Sequence, residues 1–299
     1  MAGSDLFTAI PRDRVQENVP LGRLTTFQAG GPAKRFVTPE SLAELTAVLR
    51  YLEERNEPNF VLGRGSNLLV SDKGYDGTVV YTRKCLNRIQ RTPDGLGLEA
   101  ECGVLLQDLA AKALSFGLTG LEFAHGIPGT VGGAVYMNAG AYDGEISQVL
   151  KSVTVLNESG DPEILPAEAL SLSYRHSIFM ERSAVILEAE FRLRTGDAAV
   201  IRGRMQELLA RRQAKQPLEY PSAGSTFKRP AGSYASLLID QCGLKGYRVG
   251  GAQVSEKHAG FVVNRGGATY ADIMAVCRHV QETVKAQTGY ELELEPETL

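Results

Sequence analysis

Gly126-Ile-Pro-Gly-Thr-Val-Gly-Gly-Ala-Val-Tyr-Met-Asn-Ala-Gly-Ala-Tyr-Asp-Gly-Glu145 decides the reading of this chain. Five glycines fall between Gly126 and Gly140, and Gly126, Gly129 and Gly132 recur at every third residue. Glycine at this density lets a backbone take positive φ and come into contact with a large partner. The small and apolar residues between them cannot supply acid–base chemistry. A backbone lined with N–H groups suits a flat cofactor that carries phosphate. A glycine-rich surface loop is the alternative, and a second glycine segment weighs against it.

That second segment, Gly63-Arg-Gly-Ser-Asn-Leu-Leu-Val70, follows Asn59-Phe-Val-Leu62, a short buried strand entering a tight turn. Gly63 and Gly65 open the backbone, and Ser66 and Asn67 add a hydroxyl and an amide for phosphate oxygens. The third glycine of a dinucleotide fingerprint is replaced by Leu68, and no amphipathic helix follows, so this is not a Rossmann turn. A phosphate nest whose donors come from loop backbone fits the pattern.

The 299 residues suffice for two or three domains, and a net charge of −3 with interspersed signs offers no basic face for nucleic acid. No apolar run approaches the roughly 18–20 residues of a membrane span. The N-terminus has neither a basic nor an apolar signal region. Cys85, Cys102, Cys242 and Cys277 are scattered, which predicts free thiols in a reducing cytoplasm. The four histidines form no ligand-spaced cluster with them, so no metal is expected. The expected assembly is a monomer.

Along the chain, residues 1–20 read as an irregular or helical lead-in. Ser41-Leu-Ala-Glu44 is a capping box, followed by Leu42, Leu45, Leu49 and Leu52 at helical spacing. Strands are expected near 59–62 and 77–82, and a second helix over 105–116. Alternation marks strands at 151–156 and 184–191, and an Arg-rich helix covers 198–214. The loop with Pro217, Pro221, Gly224 and Pro230 marks a domain boundary. Beyond it come a helix near 231–241, a strand at 260–264, and a helix running from the Thr269 cap to Gly289. Tyr290-Glu-Leu-Glu-Leu-Glu295 alternates as a strand does. The whole is mixed α+β.

Three loops carry polar groups fit for chemistry: Tyr174 and Arg175, Ser225 beside Lys228 and Arg229, and Glu297 behind a proline. Taken singly, each also reads as an ordinary surface or turn residue. Six ordered motifs change that: Gly63–Leu68, Gly126–Gly133, Met137–Tyr142, Tyr174–Phe179, Ala223–Lys228 and Gly243–Ala252. Together, over nearly the whole chain, they closely resemble the UDP-N-acetylenolpyruvoylglucosamine reductases, the MurB family of peptidoglycan synthesis.

The resemblance implies an α+β fold: an FAD-binding domain of the vanillyl-alcohol-oxidase (PCMH) type in two subdomains, 1–84 and 85–215, then a substrate domain over 216–299. It implies non-covalent FAD, NADPH as co-substrate and a UDP-sugar substrate. The pyrophosphate would sit on Gly63, Arg64, Gly65, Ser66, Asn67 and Leu68. Gly126, Ile127, Pro128, Gly129, Gly132, Gly133, Asn138 and Gly140 would line the flavin. Arg175, Ser225 and Glu297 would be catalytic, with Ser225 donating a proton. Tyr174, Lys228, Lys245 and His258 would contact substrate, Lys245 at the UDP phosphates.

Two departures from the family pattern stand out. About fifty residues separate Arg175 from Ser225, which resembles the shorter class lacking a substrate-covering insertion. Only two residues follow Glu297, which predicts a Glu297 less firmly held than the family pattern implies. An oxidase of the same fold would lack a role for the Ser225 and Lys245 motifs, and a nucleotide-sugar sensor would not need Arg175, Ser225 and Glu297.

Overall fold

The structure, a computed structural model, describes residues 6–84, 86–157, 160–182 and 184–299. Cys85, read above as a free thiol, and residues 1–5 of the lead-in lie outside the described residues. Two compact units make up the chain, each assembled from three stretches of sequence. One consists of residues 1–16, 35–64 and 77–211, the other of 17–34, 65–76 and 212–299. The lead-in is more ordered than its composition indicates, with a helix at Leu6–Ala9 and a strand at Val15–Pro20.

In the first unit, the helix Leu42–Glu53 begins where Ser41 accepts the Glu44 N–H at 3.2 Å. The return bond of the capping box lands one residue upstream, because the Glu44 carboxylate takes the Glu40 N–H at 2.8 Å and the Arg14 guanidinium at 2.5 Å. Leu45, Val48 and Leu52 pack with Leu6, Ile10, Val37 and Val80, while Leu42 is exposed. The strand Asn59–Leu62 pairs in parallel with residues 78–81.

The larger core of this unit lies against an antiparallel sheet of five strands. Their spatial order is Pro162–Pro166, Leu150–Leu156, Val185–Arg192, Gly97–Glu101 and Ile89–Arg91. Alternate residues such as Val153, Val155, Ala189 and Phe191 point into the core, as the period of two requires. The helices Leu106–Ser115 and Ala198–Lys215 bring Leu106, Leu109, Ile201, Met205 and Leu208 into the same core.

The second unit is built on strands Arg248–Val249, Ala252–Val254 and Val262–Asn264, paired antiparallel. Helices Ala235–Gln241 and Tyr270–Thr288 share a core with Phe27, Leu69, Val254 and Val262. Gly289, at φ 77°, ends the long helix. Burial pushes the Cys277 thiol on that helix up to about 12, which leaves it unreactive.

The expected strand Tyr290–Glu295 does not form as such. Leu292 is buried, but its carbonyl accepts from the Gln281 amide at 2.7 Å. Leu294 makes an isolated bridge with Phe227. Alternation here reports a buried face, and the backbone bonds run to a side chain and a loop. A two-residue strand, Glu297–Thr298, follows and pairs in parallel with Leu68–Leu69.

At the start of the long helix Thr269 accepts the Asp272 N–H at 3.0 Å, and Asp272 accepts the Thr269 N–H at 3.1 Å. These bonds, led by the Thr269 N–H and joined by that of Gly251, hold the Asp272 carboxyl below the ordinary carboxylate range. A depressed native pKa stabilises above the unfolded value and ceases to do so as pH falls through the native one. Asp272→Ala is therefore expected to cost about 1 kcal/mol at neutral pH. Thermal unfolding should show that deficit shrinking on acidification, and a deficit constant with pH would remove the charge from the explanation.

Among the described residues, no helix is long and apolar enough to cross a membrane. No group of three or more His, Cys, Asp or Glu gathers there as a metal cluster.

Candidate active site

The Ser225 loop is anchored by a residue that sequence reading passes over. Thr226 is fully buried. Its N–H donates to the Gly260 carbonyl at 2.8 Å, and its own carbonyl accepts from the Glu295 N–H at 3.0 Å. The Val262 N–H donates to its hydroxyl at 2.9 Å. The loop is thus clamped between an edge strand and the C-terminal segment. That segment continues the frame, since the Asn67 amide donates to the Glu295 carbonyl at 3.2 Å. The Glu297 N–H donates to the Asn67 carbonyl at 2.9 Å. Three stretches far apart in sequence, around Asn67, Ser225 and Glu297, become one hydrogen-bonded assembly.

Glu297 is held firmly, contrary to the expectation from the short tail. The N–H of Leu299 donates to the Leu69 carbonyl at 2.9 Å, and the Leu299 carbonyl accepts from the Ser71 N–H at 2.7 Å. Ladder bonds on both sides fix this rung, and two further residues are enough to make them. Among the described residues the Ser225 hydroxyl and the Glu297 carboxylate have no hydrogen-bond or ion-pair partner. Backbone bonds hold the two residues, and the hydroxyl and the carboxylate stay open.

Asn264, also nearly buried, works as a hub below this frame. Its amide donates to the carbonyls of Phe27 and Gln28 at 3.1 and 3.3 Å. Its oxygen accepts from Gly266 and Ala268 at 2.9 and 3.1 Å. A polar residue ending a run of apolar strand residues was the only signal for this role.

Of the expected substrate residues in this unit, Lys228 faces Glu293 at 3.4 Å. Its ammonium is therefore paired and does not stand beside Ser225 as a free charge. Lys245 pairs with Asp240 at 2.7 Å across partly exposed surface. His258 is half-buried, its Nδ1 accepting the Gly260 N–H at 3.2 Å and its ring edge-on to Phe261. Burial pulls its pKa below the ordinary value, and with Nδ1 accepting, a neutral ring carries its proton on Nε2.

Arg175 belongs to the first unit. Ser173 and His176 exchange backbone bonds at 3.2 Å in both directions, leaving Tyr174 and Arg175 at the tip of a tight turn. Arg175 has φ 53°, in the left-handed region where glycine is the usual occupant. Its guanidinium lies over the Tyr174 ring at 5.0 Å and donates to the Gly140 carbonyl at 3.3 Å. Asn138 ties the same turn to the glycine segment. It is fully buried, donates to the Ser173 carbonyl at 2.9 Å and accepts from the Ser147 N–H at 2.9 Å. With a bond at each end of its buried amide, Asn138 holds the turn against the glycine segment. Buried Ser177 adds a bond to the Tyr136 carbonyl at 2.6 Å.

The two glycine segments differ in what they present. None of the five glycines from Gly126 to Gly140 has positive φ. Several N–H groups are consumed by the fold: Val131 donates to Val104 at 2.8 Å and Gly132 to Cys102 at 2.9 Å. A short helix, Val131–Tyr136, starts inside the segment with Thr130 as its cap. Glycine is needed here for close packing, since a Cβ on Gly132 would meet the Cys102 Cβ at 2.9 Å. In the other segment the N–H groups of Gly63, Arg64, Gly65 and Ser66 make no hydrogen bond among the described residues. Gly65 has φ 62°, and a Cβ there would meet the Leu24 carbonyl at 2.5 Å. This is the loop with donors to spare.

Comparison with known proteins agrees in both halves. Residues 216–299 match the family described as UDP-N-acetylenolpyruvoylglucosamine reductase, C-terminal domain, and residues 33–165 match an FAD binding domain. The UDP-N-acetylenolpyruvoylglucosamine reductase of Clostridium novyi is 49% identical over 290 residues, covering 97% of this chain and 94% of that protein. The chain belongs to the UDP-N-acetylenolpyruvoylglucosamine reductase family. Its counterpart from Pediococcus pentosaceus is 48% identical over 295 residues, 99% of this chain and 97% of that one. The crystal structure of MurB from Thermus caldophilus superposes with a TM-score of 0.80 at 37% identity, covering 95% of this chain and 98% of that chain. This MurB-family chain is an FAD oxidoreductase with an FAD-binding domain in a mixed α+β fold. The unpaired N–H groups around Gly63–Ser66 have the chemistry a pyrophosphate requires.

Proposed function

We propose that this protein reduces UDP-N-acetyl-3-O-(1-carboxyvinyl)-glucosamine to UDP-N-acetylmuramate with NADPH, a cytoplasmic step of peptidoglycan synthesis. The observation that carries this reading is the frame joining Asn67, Ser225 and Glu297, with the two reactive side chains left open. The linear partition into 1–84, 85–215 and 216–299 is proposed alongside it as the division of labour between cofactor and substrate.

FAD, when bound, would supply the hydride chemistry that links NADPH to the alkene. The residues supply the rest. Gly63–Leu68 holds the pyrophosphate through backbone N–H groups. Arg175 bonds the substrate carboxylate with a planar fork and stabilises the negative charge that develops there. Ser225 gives its hydroxyl proton to the carbon next to that carboxylate. Glu297, on the same frame, assists at this end, while Tyr174, Lys228 and His258 contact the sugar nucleotide.

Lys245 is assigned to the UDP phosphates, which would draw it away from Asp240. Phosphate contacts are largely equal in ground and transition states, so Lys245→Ala should weaken binding more than it slows turnover. Losing one charge-assisted contact corresponds to about 1.5–3 kcal/mol. A substrate titration followed by flavin absorbance measures this, and an unchanged dissociation constant would remove Lys245 from the site. The whole function is tested anaerobically: NADPH should bleach the flavin, and the enolpyruvyl UDP-sugar should restore its colour. Bleaching without restoration by that substrate would overturn the assignment.

A further inference from the structure

We propose that Arg83 is a phosphate-binding residue of the FAD site, holding the pyrophosphate from the strand end beside Gly63 and Arg64. The parallel strands that reach Leu62 and Tyr81 are paired up to that final rung. Arg64 and Arg83 each stand two residues beyond it. The Thr82 hydroxyl joins the two ends by donating to the Leu62 carbonyl at 3.3 Å. Both cations therefore leave the carboxyl ends of neighbouring parallel strands, the end at which α/β proteins collect ligands.

Neither arginine has an ion-pair partner among the described residues. Arg83 is the more exacting case, because its Nε is buried with no hydrogen-bond partner there. A permanently charged group with a buried, unpaired donor is rare in a native protein and calls for an acceptor. The other side-chain nitrogen of this kind among the described residues is Nδ1 of His125, directly before Gly126. His125 immediately precedes one glycine-rich segment, and Arg83 follows the strand paired with the one that leads into the other. One dianion meets every requirement at the Arg83 end. It balances two guanidiniums, gives Nε an oxygen, and accepts from the open N–H groups of Gly63 and Arg64.

The inference rests on the pyrophosphate lying at Gly63–Leu68. FAD release from purified holoenzyme tests it, read as the gain in flavin fluorescence after dilution. Arg83→Gln should release FAD at least about tenfold faster than the parent, with Arg83→Lys between the two. Added KCl should speed release from the parent more than from Arg83→Gln, because screening acts on a charge the variant lacks. A purely structural arginine would leave that salt dependence unchanged. Parent-like release from Arg83→Gln, or faster release with the parent's salt dependence, would overturn the role of Arg83. If Arg83→Gln does not fold, the comparison is made with Arg83→Lys, where parent-like release would likewise overturn it. Gly65→Ala reports separately on the pyrophosphate: parent-like FAD retention in that variant would overturn the placement itself, whatever Arg83 does.

Discussion

Ser225→Ala is expected to split the catalytic cycle into a working half and a failed half. Bleaching of the flavin by NADPH needs no proton from a serine and should proceed at nearly the parent rate. Reoxidation by the UDP-sugar should slow by about 10²–10⁴-fold, the usual cost of losing a general acid. The frame makes this a clean test. Thr226, not Ser225, carries the bonds that hold the loop, and the Ser225 hydroxyl has no partner in the described residues whose loss would disturb it. Anaerobic stopped-flow separates the two halves, and oxygen must be absent because it would reoxidise flavin and conceal the defect. Equal slowing of both halves would indicate a misplaced flavin. Normal reoxidation would assign the proton to another residue.

Arg175 should show opposite effects on activity and stability. Its guanidinium is already oriented by Tyr174 and Gly140, and removing a preorganised donor typically costs about 3 kcal/mol in the transition state. Arg175→Ala should therefore lower kcat/KM by roughly 150-fold. Arg175→Gly should lose as much activity, yet gain about 1 kcal/mol in stability. The position has φ 53°, and a residue other than glycine is strained there by about 1–3 kcal/mol. The lost stacking on Tyr174 offsets part of that gain. Steady-state kinetics and thermal unfolding of the two variants measure both. If Arg175→Gly is less stable than Arg175→Ala, the left-handed turn is not a store of strain. If both variants keep parent kcat/KM, Arg175 is not the carboxylate partner.

Local patterns settled what local forces control. The capped helices after Ser41 and Thr269 follow from side chains bonding to the nearest free N–H groups. The alternating strands at Leu150–Leu156 and Val185–Arg192 follow from burial of one sheet face. Motif order over the whole chain was enough to indicate the family, because six segments in sequence are specific where one is not. The same motif order is what singled out Arg175, Ser225 and Glu297 as the proposed catalytic residues.

Only the tertiary structure decided how those residues are held. Thr226, Asn264 and the Asn138 amide bond to backbone groups that lie far from them in sequence. No periodicity records such partners. Tyr290–Glu295 has a strand's alternation without a strand's ladder, because side-chain burial and backbone pairing are separate demands that one pattern can express. The two glycine segments look alike in composition and act differently. One spends its N–H groups on Val104 and Cys102, while the other leaves them open at Gly63–Ser66. The sequence determined that glycine stands in both places. Which backbone donors remain for a ligand depends on what the rest of the chain brings against them, and that is set by the fold.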